Sequence, residues 1–524
     1  MAFPQWTEIY NDDIDAIQYL RLNELRDHIN EVLFPYLTTI TPYCRLVSWL
    51  TWIYTQLSEE IQRNSELTLL EYRRKFLRTY GIMATANILY ANTLSETSWG
   101  PISVLSLRNA LESIEGDEID FSHPNLSKPV DPTPNYRTSI IRMGLFSEGL
   151  QPISQRRYFS VLIPTDLGHK LSDVFENFFS DLIDPEEFMN RLVWKKDLLE
   201  EIGNRIFLQG LTPDCDESRI LITSIKTTMK YKNFYDEFKN IILKIIKKCK
   251  IINYYDASIA ALHKEVLIDD KLIETKLFDS ETLALLAYHE LHTHFSYGAD
   301  AILNGLVELA ELKGSSGISK SDILGNVIKY VKKIPWIKKD SNLSTIAGKI
   351  INSFTDISGK YLLKKPPLLG PFGFRTLQDN INNSTTKYEQ IVYGSIILLQ
   401  SALFQRSFKK EWLNNILEHH REVFSAYTLL EEYDSLNQNS SFIKWVETSV
   451  NAIIFQHDKV SESKGVYSKR FQKSGETIYH LADADYGFQR GRLQNAVIWV
   501  SDLGIIKRTE NYFEFAGDLN DKYL

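Results

Sequence analysis

The segment YHELHTHF, residues 288–295, has the residue types and spacing that come nearest to metal chemistry in this sequence. In the HExxH pattern of zinc hydrolases, two histidines four residues apart share one face of a helix, and the glutamate is the general base. His289 followed by Glu290 matches the start of that pattern, but the fourth position after His289 is Thr293, which cannot replace an imidazole. The segment therefore lacks a ligand that defines the pattern.

The other two histidines of this segment do not complete a site. His292 lies about 60° around a helix from His289, whereas His294 lies about 140° away. A zinc site needs three or four ligands, and the flanks offer no cysteine and no second histidine pair. Apolar residues recur at helical spacing over residues 282–312, which predicts a long buried helix. We expect structural roles for His289, Glu290 and His292, with metal binding by His289 and His292 as the alternative.

Composition indicates an ordinary globular protein. The chain has 524 residues, 44% hydrophobic and 24% charged, and this length suggests about three domains. The three cysteines, Cys44, Cys215 and Cys249, are scattered, which predicts neither a disulfide framework nor a thiolate zinc site. The sequence has no signal-like start and no apolar run of about 20 residues, so we expect a cytoplasmic protein that does not span a membrane.

Positive charge is concentrated in two segments, although the net charge is −8. Residues 226–250 contain eight lysines and two acidic residues, and residues 329–365 contain nine lysines and two acidic residues. Concentrated lysines in an acidic protein can form a positive patch that binds nucleic acid. Solvated faces of surface helices are the alternative interpretation.

Residues 136–177 have the order of elements with which a winged helix ends. YRTSIIRMGLFSEG predicts a short helix that ends at Gly144, RYFSVLIPT predicts a strand, and a second helix is predicted after Gly168. In a winged helix, a two-stranded hairpin follows the last helix of a helix-turn-helix core. The sequence therefore predicts a winged-helix module near residues 80–177.

The same order recurs near the C-terminus. RLQNAVIWVSDLGII predicts a helix through about Asp502, followed by a turn over residues 507–511 and the strand YFEF. This predicts a second winged-helix module, near residues 465–524. The recognition helix of a helix-turn-helix presents its first residues to the DNA major groove. Candidate nucleic-acid contacts are therefore Arg490, Arg492, Gln494 and Asn495 at the start of the helix, with Lys507 and Arg508 in the wing.

The predicted fold class is mainly α: many helices, with small β-hairpins as wings. The central helices are predicted at residues 282–312, 321–335, 342–364, 385–407, 409–432 and 440–456. Prolines and glycines predict a break at about 366–380. Three contiguous domains are predicted: residues 1–177, a central helical domain at 178–456 with a hairpin at 264–278, and residues 457–524.

The central hairpin offers one alternative site for catalysis. Asp269, Asp270, Glu274 and Lys276 occur in the order D…ExK, and metal-dependent nucleases use two carboxylates to hold Mg²⁺ and a lysine beside them. The carboxylates are close in sequence, so a solvated hairpin tip is the simpler interpretation. No phosphate-binding glycine loop occurs. We therefore predict no catalytic residues, no metal ligands and no cofactor.

Two stretches resemble poorly characterised, mainly helical proteins of bacterial defence islands. They are LRLNELRDHINEVLFPYLTTITPYCRLVSWLTWIY and YHELHTHFSYGADAILNGL. The resemblance implies a chain that acts with ATPase, helicase or nuclease partners. We therefore expect a non-catalytic, DNA-associated subunit of an antiviral complex. A scaffold that binds only proteins and a metal-dependent nuclease centred on the hairpin are the alternatives.

Overall fold

In a computed structural model the chain is mainly helical, as its sequence predicts. The structure describes residues 20–37, 43–63, 67–94, 104–127, 129–154, 157–212, 214–229, 234–240, 251–253, 265–268, 271–274, 281–334, 336–337, 342–354, 371–406, 424–437, 439–464, 469–484, 492–503, 506–508 and 512–515. The helices are α1 (Leu22–Leu33), α2 (Arg45–Arg63), α3 (Leu69–Thr93), α4 (Val104–Glu112), α5 (Pro124–Ser127), α6 (Thr133–Arg142), α7 (Asp166–Glu176), α8 (Pro185–Asn190), α9 (Lys196–Ile206), α10 (Asp216–Thr228), α11 (Glu281–Leu312), α12 (Lys320–Val331), α13 (Leu343–Phe354), α14 (Phe374–Asn382), α15 (Lys387–Gln405), α16 (Ala426–Ser435), α17 (Phe442–Lys464) and α18 (Arg492–Asp502).

The strands are short and form small antiparallel sheets. Two hairpins stand alone, β2 with β3 and β6 with β7, and the remaining sheets have the orders β1-β4, β8-β10-β9 and β11-β12-β5. The strands are β1 (Glu118–Asp120), β2 (Phe146–Ser154), β3 (Arg157–Pro164), β4 (Val193–Lys195), β5 (Ile251–Asn253), β6 (Glu265–Ile268), β7 (Lys271–Glu274), β8 (Ile318–Ser319), β9 (Phe471–Ser474), β10 (Thr477–His480), β11 (Ile506–Arg508) and β12 (Tyr512–Phe515).

The chain forms two compact units, each built from two separate stretches. The first unit comprises described residues within 1–30 and 259–490, and the second comprises those within 31–258 and 491–524. The predicted domains were contiguous, so these units have different boundaries. The pairing of β5 with β12 within the second unit illustrates the reason: strands far apart in sequence pair without any local signal.

The two hairpins that were predicted as wings each follow a helix. In the second unit α6 is followed by β2 and β3, and α18 is followed by β11 and β12. Gly144, with a φ of +67°, ends the first of these helices as predicted, because a residue in the left-handed region stops α-helical hydrogen bonding. Thr165 then begins α7 by accepting a hydrogen bond from the backbone N–H of Gly168 at 3.2 Å.

A buried ion pair joins α2 to α10 in the second unit. The side chains of Arg45 and Glu217 are 2% and 0% exposed, and the Nε and Oε2 atoms lie 3.2 Å apart. Arg45 also donates from Nη1 to the carbonyl oxygen of Phe207 at 2.9 Å. Burial raises the pKa of Glu217 while the neighbouring guanidinium opposes that shift. Removal of either partner would leave an uncompensated charge in the core.

The core of the first unit is the close packing of α11 against α15. A Cβ at Gly394 would lie 2.7 Å from Cγ1 of Ile302 and 2.8 Å from the carbonyl oxygen of Gly298. A Cβ at Gly298 would lie 2.5 Å from Cγ2 of Ile397. Only glycine at these positions lets the two backbones approach so closely. As a result, α11 is buried on every side from residue 288 to residue 307.

The hairpin of β9 and β10 is held to the end of α17 through one buried histidine. His457 is 0% exposed, and its Nε2 accepts a hydrogen bond from the backbone N–H of Arg470 at 3.0 Å. The imidazole also stacks on Phe471 with ring centroids 4.0 Å apart. Burial, assisted by the charge of Lys469, lowers the pKa of His457 to about 4. The folded chain therefore holds this imidazole neutral.

Gly394→Ala is expected to lower the free energy of unfolding by about 1–3 kcal/mol. The added methyl group would clash with the side chain of Ile302 and with the backbone carbonyl oxygen of Gly298 on α11. Gly325→Ala is the matched control, because a Cβ there meets nothing within 4 Å. In the control, the better helix propensity of alanine should leave stability unchanged or raise it by up to about 1 kcal/mol. Denaturant titration of both variants measures the contrast. Equal effects would contradict the close packing of α11 and α15.

His457 should make the free energy of unfolding depend on pH. The unfolded chain takes up a proton near pH 6.5, whereas the folded imidazole resists protonation down to about pH 4. The neutral imidazole therefore makes its full contribution to the free energy of unfolding above pH 6.5. As the pH falls from 6.5 towards 4, the free energy of unfolding decreases by up to about 3 kcal/mol. His457→Gln keeps a hydrogen-bond acceptor but cannot titrate, so its stability should vary less across this window. An unchanged pH profile in this variant would refute the assignment.

Candidate nucleic-acid interface

The three histidines of HELHTH, residues 289–294 within the segment YHELHTHF, lie inside the first unit, on α11. His289, His292 and His294 are 0%, 2% and 0% exposed. The Nε2 of His292 donates to the carbonyl oxygen of Leu22 at 2.8 Å. His294 donates from Nε2 to Oε1 of Gln400 at 2.9 Å. Protein groups therefore accept hydrogen bonds from Nε2 of two of the three imidazoles, and the structural roles of His289 and Glu290 stay a prediction.

The central hairpin proposed as a nuclease site has the predicted strand pairing. In the antiparallel register of β6 and β7, the backbone of Glu265 pairs with that of Glu274. Asp269, Asp270 and Lys276 lie outside the described residues. The grouping of carboxylates and lysine that a nuclease requires thus stays a prediction.

The start of α18 is more buried than the predicted recognition helix requires. Asn495 is 8% exposed, and the residues from 496 to 500 are all buried. Arg492 is half-buried, and its Nη1 lies 3.5 Å from the carbonyl oxygen of Phe34. The side chain of Asn495 would have to leave the core to reach a base edge. Trp499 is also fully buried.

The structure gives positions for only some of the other residues predicted to contact nucleic acid. Arg490 lies outside the described residues, and Gln494 belongs to the first turns of α18. Lys507 and Arg508 lie on β11, opposite Glu514 and Phe513 of β12. Two of the six predicted residues therefore belong to the hairpin that was expected to form a wing.

A surface with exposed cations and aromatic rings lies where α12 packs on α15 in the first unit. Lys329, Lys332 and Lys333 are exposed at the end of α12, and Tyr330 and Tyr388 are partly exposed. We call these five residues the lysine–tyrosine face. The three lysines open the second basic segment of the sequence.

The two tyrosines of this face form a stacked pair. The ring centroids of Tyr330 and Tyr388 are 6.0 Å apart, and the ring planes differ by 15°. The Nζ of Lys333 lies 4.7 Å from the centroid of the Tyr330 ring. Asn326 donates from Nδ2 to the hydroxyl oxygen of Tyr388 at 3.4 Å. Burial raises the pKa of Tyr388, so its hydroxyl stays neutral at physiological pH.

The three lysines have no carboxylate partner within the described residues. Lys329 donates to the amide oxygen of Asn326 at 2.9 Å, and this acceptor carries no charge. The nearby Glu308 is already paired with Lys387 at 2.9 Å. Lysines at a helix C-terminus complement the helix dipole, which explains their position on α12. The dipole does not explain the paired tyrosine rings beside them.

The basic segment at 329–365 predicted the lysines of this face but not its tyrosines. The letters KYVKK at residues 329–333 contain an aromatic residue among lysines, and that interleaving was the available signal. Tyr388 carried no signal, because its place beside Tyr330 depends on the packing of α15 against α12.

No family model, curated protein or solved structure matches this chain. Within the described residues, no helix combines the length and the apolar character that crossing a bilayer requires. A functional assignment therefore depends on the chemistry of this chain's own residues.

His292→Ala tests whether the HELHTH segment is structural. Loss of the hydrogen bond to Leu22 should lower the free energy of unfolding by about 1–3 kcal/mol. Neither this variant nor His289→Ala should change the zinc content of the purified chain, measured by elemental analysis. Zinc that binds the unaltered chain and is lost in His289→Ala would show that the segment is a metal site.

Proposed function

We propose that this chain is a non-catalytic, nucleic-acid-associated subunit of a bacterial antiviral complex, and that the lysine–tyrosine face is its main nucleic-acid contact. The observation that carries the proposal is the combination of a stacked tyrosine pair with three exposed lysines that have no carboxylate partner in the described part of the chain. The antiviral context rests on the sequence resemblance alone. A cytoplasmic location and ATPase, helicase or nuclease partners belong to the same proposal.

The chemistry of this face suits a single strand better than a duplex. Lysines neutralise phosphates and release condensed counterions, and this gives affinity without sequence preference. Partly exposed aromatic rings offer a stacking surface to unpaired bases, and each stacked base contributes about 1–3 kcal/mol. Bases inside a duplex are already stacked and cannot use the Tyr330 ring.

The C-terminal helix and hairpin are proposed as a second contact, of the winged-helix type. Within it, Lys507 and Arg508 on β11 are the residues that we expect to follow a phosphate backbone. Arg490, Arg492 and Gln494 remain proposed contacts. Asn495 is the weakest of the predicted set, because its side chain is withdrawn into the core.

Two other functions remain as alternatives. A scaffold that binds only proteins would show no salt-dependent affinity for DNA or RNA. A nuclease centred on β6 and β7 would cut nucleic acid in the presence of Mg²⁺ or Mn²⁺. Incubation with labelled DNA and RNA, with and without each metal ion, separates the nuclease from both non-catalytic functions.

The decisive variant replaces Lys329, Lys332 and Lys333 together by glutamine. For a labelled single-stranded oligonucleotide, the slope of log affinity against log salt should become shallower by about 2, since each lost phosphate contact removes about 0.7. The charge-matched control replaces Lys170, Lys195 and Lys313, which are exposed lysines elsewhere. Its slope should match that of the unaltered chain.

Tyr330→Leu provides an independent measurement on the same face. It should weaken single-strand binding without changing the salt slope, and Tyr330→Phe should restore the affinity, because stacking needs the ring but not the hydroxyl. The proposal fails if the triple glutamine variant and its control bind equally well. It also fails if the unaltered chain binds neither single strands nor duplexes at low salt.

A further inference from the structure

Three side chains with metal-binding atoms converge at one edge of the first unit. They are Glu311 in the last turn of α11, His480 at the end of β10, and Asp483 in the turn that follows. Their candidate ligand atoms all lie within 4.8 Å of one another. The Nε2 of His480 and Oδ1 of Asp483 are 3.2 Å apart. Glu311 is distant in sequence from His480 and Asp483, and the sequence predicted no metal ligands.

The backbone that carries His480 and Asp483 is fixed by contacts that do not involve the three side chains. β10 pairs with β9 on one side and with β8 on the other. The N–H groups of Leu481 and Ala482 both donate to the carbonyl oxygen of Arg470, at 3.0 and 3.2 Å. Asn304 on α11 donates from Nδ2 to the carbonyl oxygen of Ala484. The turn is therefore tied to the same helix that carries Glu311.

Glu311 lies at the C-terminal end of α11, where the helix dipole does not favour a carboxylate. A helix C-terminus repels carboxylates, and the last turn of α11 contains no basic residue. A carboxylate oxygen of Glu311 also lies within 4.8 Å of one of Asp483, so a cation placed between them would be attracted by both. Within the described residues Glu311 makes no ion pair. A divalent cation bound where the ligand atoms converge would offset the charge of both carboxylates.

We propose that Glu311, His480 and Asp483 bind a divalent first-row transition metal, of which zinc is the best probe. Imidazole with carboxylates suits zinc and its neighbours, whereas calcium and magnesium prefer sites made of oxygen alone. Zinc binds nitrogen and oxygen ligands at about 2.0–2.2 Å, so two ligands of one ion lie about as far apart as His480 Nε2 and Asp483 Oδ1. The carboxylate of Glu311 reaches the ion by side-chain rotation.

The metal would join the end of α11 to the turn after β10. Three protein ligands leave a fourth position for water. The site is independent of the proposed nucleic-acid contact: it uses none of the residues of the lysine–tyrosine face, and either proposal can fail alone.

The test uses the full chain, freed of metal with a chelator and titrated with zinc chloride by calorimetry. One zinc per chain should bind, and zinc should raise the melting temperature. His480→Gln should weaken binding at least tenfold, and so should Asp483→Asn and Glu311→Gln. Asp483→Asn and Glu311→Gln change exposed side chains, so these two variants report on zinc binding even if His480→Gln does not fold. His169→Gln, at an exposed histidine of α7, is the matched control and should bind zinc like the unaltered chain.

Three results would overturn the proposal. One is zinc affinity that none of the three ligand variants changes. Another is equal weakening in His169→Gln, which would mean that zinc binds surface histidines without selectivity. The third is magnesium binding as tight as zinc binding, which would mark the cluster as an acidic patch that attracts any divalent ion.

Discussion

The contact of α11 with α15 at Gly298 and Gly394 is the constraint on which the first unit depends. Because neither position carries a Cβ, the two helices approach until the backbone of one meets the side chains of the other. This approach buries α11 completely along its middle, so its histidines, Asp300 and Asn304 must be satisfied inside the protein. Burial raises the pKa of Asp300 well above its usual range, while the guanidinium of Arg26 opposes the shift.

The helices that form this contact also carry the lysine–tyrosine face and the cluster of Glu311, His480 and Asp483. α12 packs against α15, and this places Tyr388, at the start of α15, beside Tyr330. The far end of α11 carries Glu311 to the β9–β10 hairpin, where His480 lies. The same helix pair thus supports a surface with exposed lysines and a cluster with two carboxylates, for which we propose ligands of opposite charge.

Local patterns predicted the helices well, and long-range contacts explain what they missed. Apolar periodicity predicted a helix at 282–312, and α11 spans Glu281–Leu312. Part of the segment at 366–380, where a break is predicted, is helical: in α14 the residues Phe374, Leu377 and Ile381 bury one amphipathic face that the nearby prolines and glycines obscured. The burial of Asn495, the Tyr330–Tyr388 pair and the His480 cluster all depend on tertiary packing, which no spacing in the sequence encodes.

The most direct test of the nucleic-acid assignment is ultraviolet crosslinking of the full chain to a single-stranded oligonucleotide, with the crosslinked peptides identified by mass spectrometry. Aromatic rings that stack on bases crosslink efficiently, so the account predicts crosslinks at Tyr330 and Tyr388, suppressed by high salt. Crosslinks confined to peptides outside residues 320–333 and 387–405, with Tyr330 unmodified, would contradict it.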